Sequence, residues 1–302
     1  MATNNMKEML DAGVHFGHQT SRWNPSMKPY VYTNRGGIHI IDLQKSVAKA
    51  RKAAKFIKDM SSKGGRLIFV GTKKQAVEPV VEAAEKCGQY YVTKRWLGGT
   101  LTNFSTIKMR IDRLKKIDQM REKGELNFYS KKERGKIEKE YEKLCSFLDG
   151  IKDMKEAPSA MFVVDLNKEH IAVKEARRLG IPVVAIADTN TDPNEVDFPI
   201  PGNDDAIRSI SLFTNLIAES FLEGQKEWEQ KIREQSDKQV DKAEEKAAAE
   251  GKQEDLSGEG PSVVKVARGR KMVAAGMAEE VEIQMELDEK QDDDTDADTE
   301  EN

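Results

Sequence analysis

Residues 159–188 read "SAMFVVDLNKEHIAVKEARRLGIPVVAIAD". Two apolar runs, "SAMFVVD" (159–165) and "IPVVAIAD" (181–188), are rich in Val and Ile and do not alternate with polar residues. A strand that is apolar on both sides has to be covered on both faces, as in a parallel sheet sandwiched between helices. The residues between the runs, 167–180, form the crossover helix, and Gly180 ends it. Parallel neighbours need such a crossover, because a tight turn joins only antiparallel strands.

The alternation extends in both directions. Upstream, "RLIFVGT" (66–72) runs straight into "KKQAVEPVVEAAEKCG", whose inward stripe is Val77, Val80, Val81 and Ala84. Pro79 falls near the first turn of that helix, where a missing N–H does least harm. Earlier still, "GGIHIID" (36–42) reads as a short buried strand. Asp42 is placed to cap a helix in which Leu43, Val47, Ala50, Ala54 and Ile57 step by 4, 3, 4 and 3 up to Gly64 and Gly65, with Lys45, Lys49 and Lys52 on another face. Downstream, "VDFPIPG" (196–202) leads into a helix holding Ile207, Ile210, Phe213, Ile217 and Phe221. Strands separated by helices predict an α/β, doubly wound parallel sheet, in two parts, 1–103 and 157–226.

Residues 104–156 interrupt that pattern. Phe104, Ile107, Ile111 and Leu114 step by 3, 4 and 3, and Ile137, Tyr141, Leu144, Leu148 and Ile151 by 4, 3, 4 and 3, each set surrounded by Lys, Arg and Glu. Ser130 and Glu133 have capping-box spacing, and "REKGELNFYS" is long enough to reverse the chain. The segment reads as an inserted antiparallel coiled-coil hairpin that protrudes because each stripe covers only its partner. From Glu227 the chain is helix-forming but polar, and it ends in "DEKQDDDTDADTEEN". Residues 227–302 are expected to be an acidic, largely disordered tail, since the last stretch lacks the apolar area to offset ordering entropy. The less polar island "PSVVKVARGRKMVAAGM" (261–277) has no assigned role.

A length of 302 residues leaves room for about two average domains. The two cysteines, Cys87 and Cys145, lie far apart without CxxC pairing, which argues against a disulfide framework and a cysteine zinc site and fits a reducing cytoplasm. "MATNNMKEML" lacks the basic segment and apolar core expected of a signal peptide, and no apolar run approaches the roughly 18 residues of a membrane span. The net charge of −4 hides an asymmetry. Residues 1–226 carry 38 Lys and Arg against 29 Asp and Glu, while residues 227–302 carry 11 against 24. A basic body suits a polyanionic partner.

Candidate contacts concentrate in four places. In "FVGTKKQA", a glycine after a strand and then Lys73 and Lys74 at a helix start could meet a phosphate, but both GxGxxG and GxxxxGK[ST] are absent. A backbone phosphate of RNA suits it better than a nucleotide cofactor, and a plain tight turn is the alternative. In "TSRWNPSMKPYVYTNRGG", Arg22, Trp23, Lys28, Tyr30, Tyr32 and Arg35 interleave cations with rings. In "KRWLGGTLTNFSTI" (94–107), Lys94 and Arg95 offer charge, Arg95 as a fork, and Trp96 offers a ring. Gly98 and Gly99 allow close approach of another chain. A hinge packed by Trp96 is compatible with the same residues. Lys108 and Arg110 continue the charge along the following helix.

Two further groupings invite a metal. His15 and His18 in "GVHFGHQT" have H-x-x-H spacing, but no third ligand lies nearby, so hydrogen bonding or packing is the preferred role. Asp188, Asp192, Asp197, Asp204 and Asp205 could converge at the carboxyl edge of the sheet and suit a hard cation. Asp-Pro-Asn and Gly-Asn-Asp are also ordinary turn and cap chemistry, and neither a metal nor a cofactor is assigned. No nucleophile-base pairing, HExxH or GxSxG occurs.

Taken in order, "MLDAGVHFGHQTSRWNPSMKPYVY", "IHIIDLQKS", "FVGTKKQA", "RWLGGTLTNFSTI", "FVVDLNKEHIAVKEARRLGIPVVAIADTNTDP" and "IPGNDDAIRSI" resemble the second protein of the small ribosomal subunit, bacterial type, over about residues 6–225. The resemblance implies a flavodoxin-like domain with a protruding coiled-coil hairpin at the junction of head and body. It implies contact with small-subunit ribosomal RNA and neighbouring small-subunit proteins, including docking of the large mRNA-binding protein numbered one. It implies no enzyme activity, small-molecule substrate or membrane. The long acidic end departs from the family pattern, so nothing is carried over to it. The residues expected to meet RNA are Arg22, Trp23, Lys28, Arg35, Lys73, Lys74, Lys94, Arg95, Trp96, Lys108 and Arg110. A nucleotide- or sugar-phosphate-dependent enzyme on the same fold is the rival reading, and a protein-only adaptor is a third.

Overall fold

The computed structural model describes residues 6–250, with side chains through Arg233. The acidic, largely disordered tail expected over 227–302 lies outside the described residues from 251 on, the island at 261–277 included. The chain divides into two units, Met1–Gln239 and Val240–Asn302, and the first holds both sheets.

Five strands make a parallel sheet: β4 (Leu67–Val70), β5 (Tyr90–Val92), β6 (Ala160–Val164), β7 (Val183–Ala187) and β8 (Phe198–Pro201), in the order β5-β4-β6-β7-β8. β4, β6 and β7 are buried along their whole length, as their unbroken apolar sequence requires. β8 carries Pro199 and Pro201, which cannot donate to a ladder, and it lies at the edge where that is tolerated.

Alternate residues of each strand feed two separate cores. Leu67, Phe69, Phe162, Val164 and Ile186 point to one face, packed against α1 (Met6–Asp11), α2 (Leu43–Ser61), α3 (Val77–Cys87) and α7 (Ile207–Glu250). Asp42 caps α2 by accepting from the Gln44 amide, and Pro79 sits in the first turn of α3, both as expected. Ile68, Val70, Met161, Val163 and Ala185 point to the other face. There the cover is α6 (His170–Arg178) together with α4 (Phe104–Glu122) and α5 (Lys131–Leu148). Helices on both faces of a parallel sheet make a doubly wound α/β fold.

Two sequence expectations change in detail. The run "GGIHIID" is indeed a strand, β3 (Ile38–Ile41), but it belongs to a separate antiparallel sheet with β1 (Phe16–Gln19) and β2 (Val31–Arg35) in the order β1-β3-β2. A four-residue strand rich in Ile looks the same in either kind of sheet, and only its partners distinguish them. The apolar stripe of α4 also does more than cover α5. Ile107, Ile111 and Leu114, with Leu148 of α5, pack in the same core as the sheet. Farther along, Ile117 and Met120 are buried but belong to neither sheet core. Arg113 forks onto Glu140 at 3.2 and 2.9 Å, and the Arg121 guanidinium lies 4.5 Å from the centre of the Tyr141 ring, both linking α4 to α5. Ser130 and Glu133 form the expected capping box. α7 continues without a break past residue 226, where the composition turns acidic.

Candidate nucleic-acid interface

The segment "RWLGGTLTN" follows β5 and wraps around one carboxylate. Glu175, buried on α6, accepts from Trp96 Nε1 at 3.1 Å and the Gly99 amide at 2.7 Å through Oε1. Its Oε2 accepts from the amides of Leu101 and Thr102 at 3.0 and 3.2 Å and from Thr102 Oγ1 at 3.2 Å. Burial pushes the Glu175 carboxyl up, but the hydrogen bonds from Gly99, Leu101, Thr102 and Trp96 prevail and hold it below the usual glutamate range. The backbone donors of this loop therefore face inward, to a charge of the protein's own. Gly99 adopts φ +87°, a left-handed conformation that glycine reaches without a Cβ penalty. Gly98 is different: its φ is ordinary and a Cβ there would meet nothing within 4 Å. Lys94, Arg95 and Gly98 are exposed at the start of the loop, and Thr102 and Asn103 at its end.

At the carboxyl edge of the sheet a second cluster ties the strand ends together. Lys73, after β4, lies 2.8 Å from Asp204 Oδ1, 2.6 Å from Asp205 Oδ1 and 3.6 Å from Asp165 Oδ2. Burial works against its charge, yet Asp204 first and then Asp205 and Asp165 raise its pKa overall. His18 Nδ1 lies 3.0 Å from Asp188 Oδ2, and that hydrogen bond raises the imidazole pKa, with burial opposing it. Asp204 is fully buried, and burial, together with the charges of Asp188 and Asp165, pushes its carboxyl up to about 7. Its Oδ2 has no hydrogen-bond partner among the described residues.

One ligand atom each from His18, Asp188 and Asp204 lie within 4.8 Å of one another, an arrangement able to hold a divalent cation. Lys73 already supplies Asp204 with a positive neighbour. The remaining aspartates of the sequence cluster do other work: Asp192 caps a short turn by accepting from the Asn194 amide, and Asp197 accepts from the Val183 amide. His15 does not join His18; its ring lies against Phe16, with centroids 4.0 Å apart, and desolvation lowers its pKa.

The crevice between β4 and β6, where the strand order reverses, is the usual ligand site of such sheets. Here protein groups cross-link it. Both the amide and the hydroxyl of Thr72 donate to Glu169, Lys168 Nζ donates to Thr72 O at 2.8 Å, and Lys73 meets Asp165. Asp165 reaches that position through a left-handed backbone, φ 68°.

The antiparallel sheet docks on the same edge, with the His18 amide donating to Thr189 Oγ1 at 2.9 Å and the Asn24 amide to Thr189 O at 2.7 Å. It presents Arg22, Lys28 and Arg35 to solvent. Trp23 is half-buried, 5.1 Å from the His39 ring.

Of the eleven residues expected to meet RNA, eight cations are exposed: Arg22, Lys28, Arg35, Lys74, Lys94, Arg95, Lys108 and Arg110. None of these eight has a carboxylate in ion-pairing range among the described residues, unlike Arg113, Lys115 and Arg134 on the helical pair. Lys73 is held inside its aspartate cluster. Trp96 is 5% exposed, so it anchors the loop instead of offering a ring to a partner. Glu175 escaped the sequence reading. Its one signal is position, an acid between Ala172 and Ala176 on the apolar stripe of α6.

Residues 9–224 match the family described as Ribosomal protein S2. The small ribosomal subunit protein uS2 of Bdellovibrio bacteriovorus is 67% identical, over 96% of this chain and 98% of that relative. The family match stops at residue 224, while the alignment with that relative runs on past residue 226. The chain belongs to the ribosomal protein S2 family: it is a structural constituent of the cytoplasmic small ribosomal subunit, with a part in translation, and not an enzyme.

Proposed function

We propose that the protein binds small-subunit ribosomal RNA through the exposed cations of residues 22–35, 74, 94–95 and 108–110. The observation that carries this reading is that these eight side chains lack carboxylate partners among the described residues while two of the loops that bear them are pinned from behind. Glu175 fixes the loop before α4, and the aspartate cluster fixes the loop after β4. Unpaired guanidinium and ammonium groups on braced loops match a phosphate backbone in position and charge, and contacts of that kind set register without reading sequence.

In this reading α4 and α5 act as a coiled-coil hairpin, and the protein lies where head and body of the subunit join. The family resemblance supports both statements, and it also supports a role in docking the mRNA-binding protein numbered one.

Arg95→Glu tests the RNA contact. Arg95 is exposed and makes no ion pair among the described residues, so the variant should fold as the parent does. It should be under-represented in small subunits assembled in competition with the unaltered chain, measured by mass spectrometry of purified particles. Equal incorporation would remove Arg95 from the RNA surface.

A further inference from the structure

A cavity of about 380 Å³ opens between the "RWLGG" loop, the base of the helical pair and the start of α6. Its size is that of a small-ligand pocket. Its wall is apolar: Leu97, Leu144 and Phe147 are half-buried there, and Ile171 is 44% exposed. Its charged lining residues are all cationic: Arg95, Arg110 and Lys143. None of the three pairs with a carboxylate among the described residues. Gly98 contributes bare backbone, with open space where a Cβ would stand.

We propose that this cavity receives one unpaired nucleotide of RNA, its base against the apolar wall and its flanking phosphates on Arg95, Arg110 and Lys143. The inference rests on the RNA-binding reading and deepens it. An apolar recess alone would fit many partners, but three cations without counter-charges among the described residues select an anion. A base combines a flat apolar face with a phosphate on either side, and only an unstacked base exposes that face. The cavity also explains why Gly98 is glycine: the backbone conformation does not demand it, and no neighbour inside the chain would clash with a side chain.

The test uses the full chain and small subunits stripped of this protein by a salt wash. Gly98→Trp changes no charge and fills the approach, and thermal unfolding should match the parent. Its affinity for the stripped particles should fall about tenfold or more, the order of one lost base contact, with an unchanged slope of log K against log salt. Ile171→Gln, a smaller change on an exposed position, should weaken binding in the same direction. Arg95→Glu should instead make the salt slope shallower. If both neutral variants bind like the parent while Arg95→Glu fails, the cavity is unused and the RNA reading stands; if all three bind normally, the cavity is unused and Arg95 leaves the RNA surface as well. A photocrosslinking benzophenone side chain at position 171 should label a single-stranded ribosomal RNA nucleotide, and labelling of protein alone would overturn the proposal.

Discussion

A single carboxylate organises the most distinctive stretch of this chain. Glu175 takes five hydrogen bonds from a loop that it does not touch in sequence. Glu175→Gln keeps the shape but leaves one acceptor oxygen and turns an amide donor toward other donors. Leaving buried donors unpaired costs about 1–3 kcal/mol each, so the variant should lose about 2–4 kcal/mol at pH 7 in denaturant titration. The pH dependence has a definite sign. Because the folded-state pKa is depressed, the ionised carboxylate's contribution is complete above the ordinary glutamate range and is lost as pH falls through the folded value. The gap between parent and variant should therefore narrow below about pH 4. A gap that stays constant there would mean that the charge of Glu175 does not hold the loop. Sequence offered little warning, since an acid on a helix is ordinarily solvated, and only folding brings residues 96–102 to it.

Among the elements, α5 was legible to its first residue. Ser130 and Glu133 announce its start, and the capping box is present with Ser130 Oγ accepting from the Glu133 amide at 3.4 Å and Glu133 Oε2 accepting from the Ser130 amide at 3.2 Å. Ser130→Ala should cost about 1 kcal/mol, confined to the helical pair. Hydrogen exchange would read it as roughly fivefold faster exchange in the first turns of α5 at unchanged protection of β4 and β6. Equal loosening of the sheet would show that the far end of the pair and the sheet unfold as one unit. What the apolar steps could not say is which surface each stripe covers. Ile107 and Ile111 repeat like Ile117, yet the first two join the sheet core and the third does not. Periodicity specifies a face of a helix, while the identity of its cover depends on how far the helix has left the sheet. β3 teaches the same lesson, for a strand of four residues, three of them Ile, fits either sheet until its partners are known.

For the whole molecule, charge sets the expected behaviour in solution. The basic body and acidic end oppose each other, and the sum is −4. A chain cut after Glu250 should bind unrelated duplex RNA more tightly than the full chain at about 50 mM salt, and the advantage should shrink as the Debye length falls toward 8 Å at physiological ionic strength. Filter binding across a salt series would show it, and identical curves for the two chains would rule out electrostatic shielding by the acidic end. Sequence by itself determined the doubly wound class, the cap residues and the choice of exposed cations, because each of these depends on local apolar pattern, local hydrogen bonding or charge. Tertiary structure alone decided that Trp96 faces Glu175, that Lys73 is spent on three aspartates, that His18 joins Asp188 and Asp204, and that Gly98 borders a cavity. Those outcomes require residues more than 70 positions apart to meet, and no local rule of propensity or periodicity carries information over that separation.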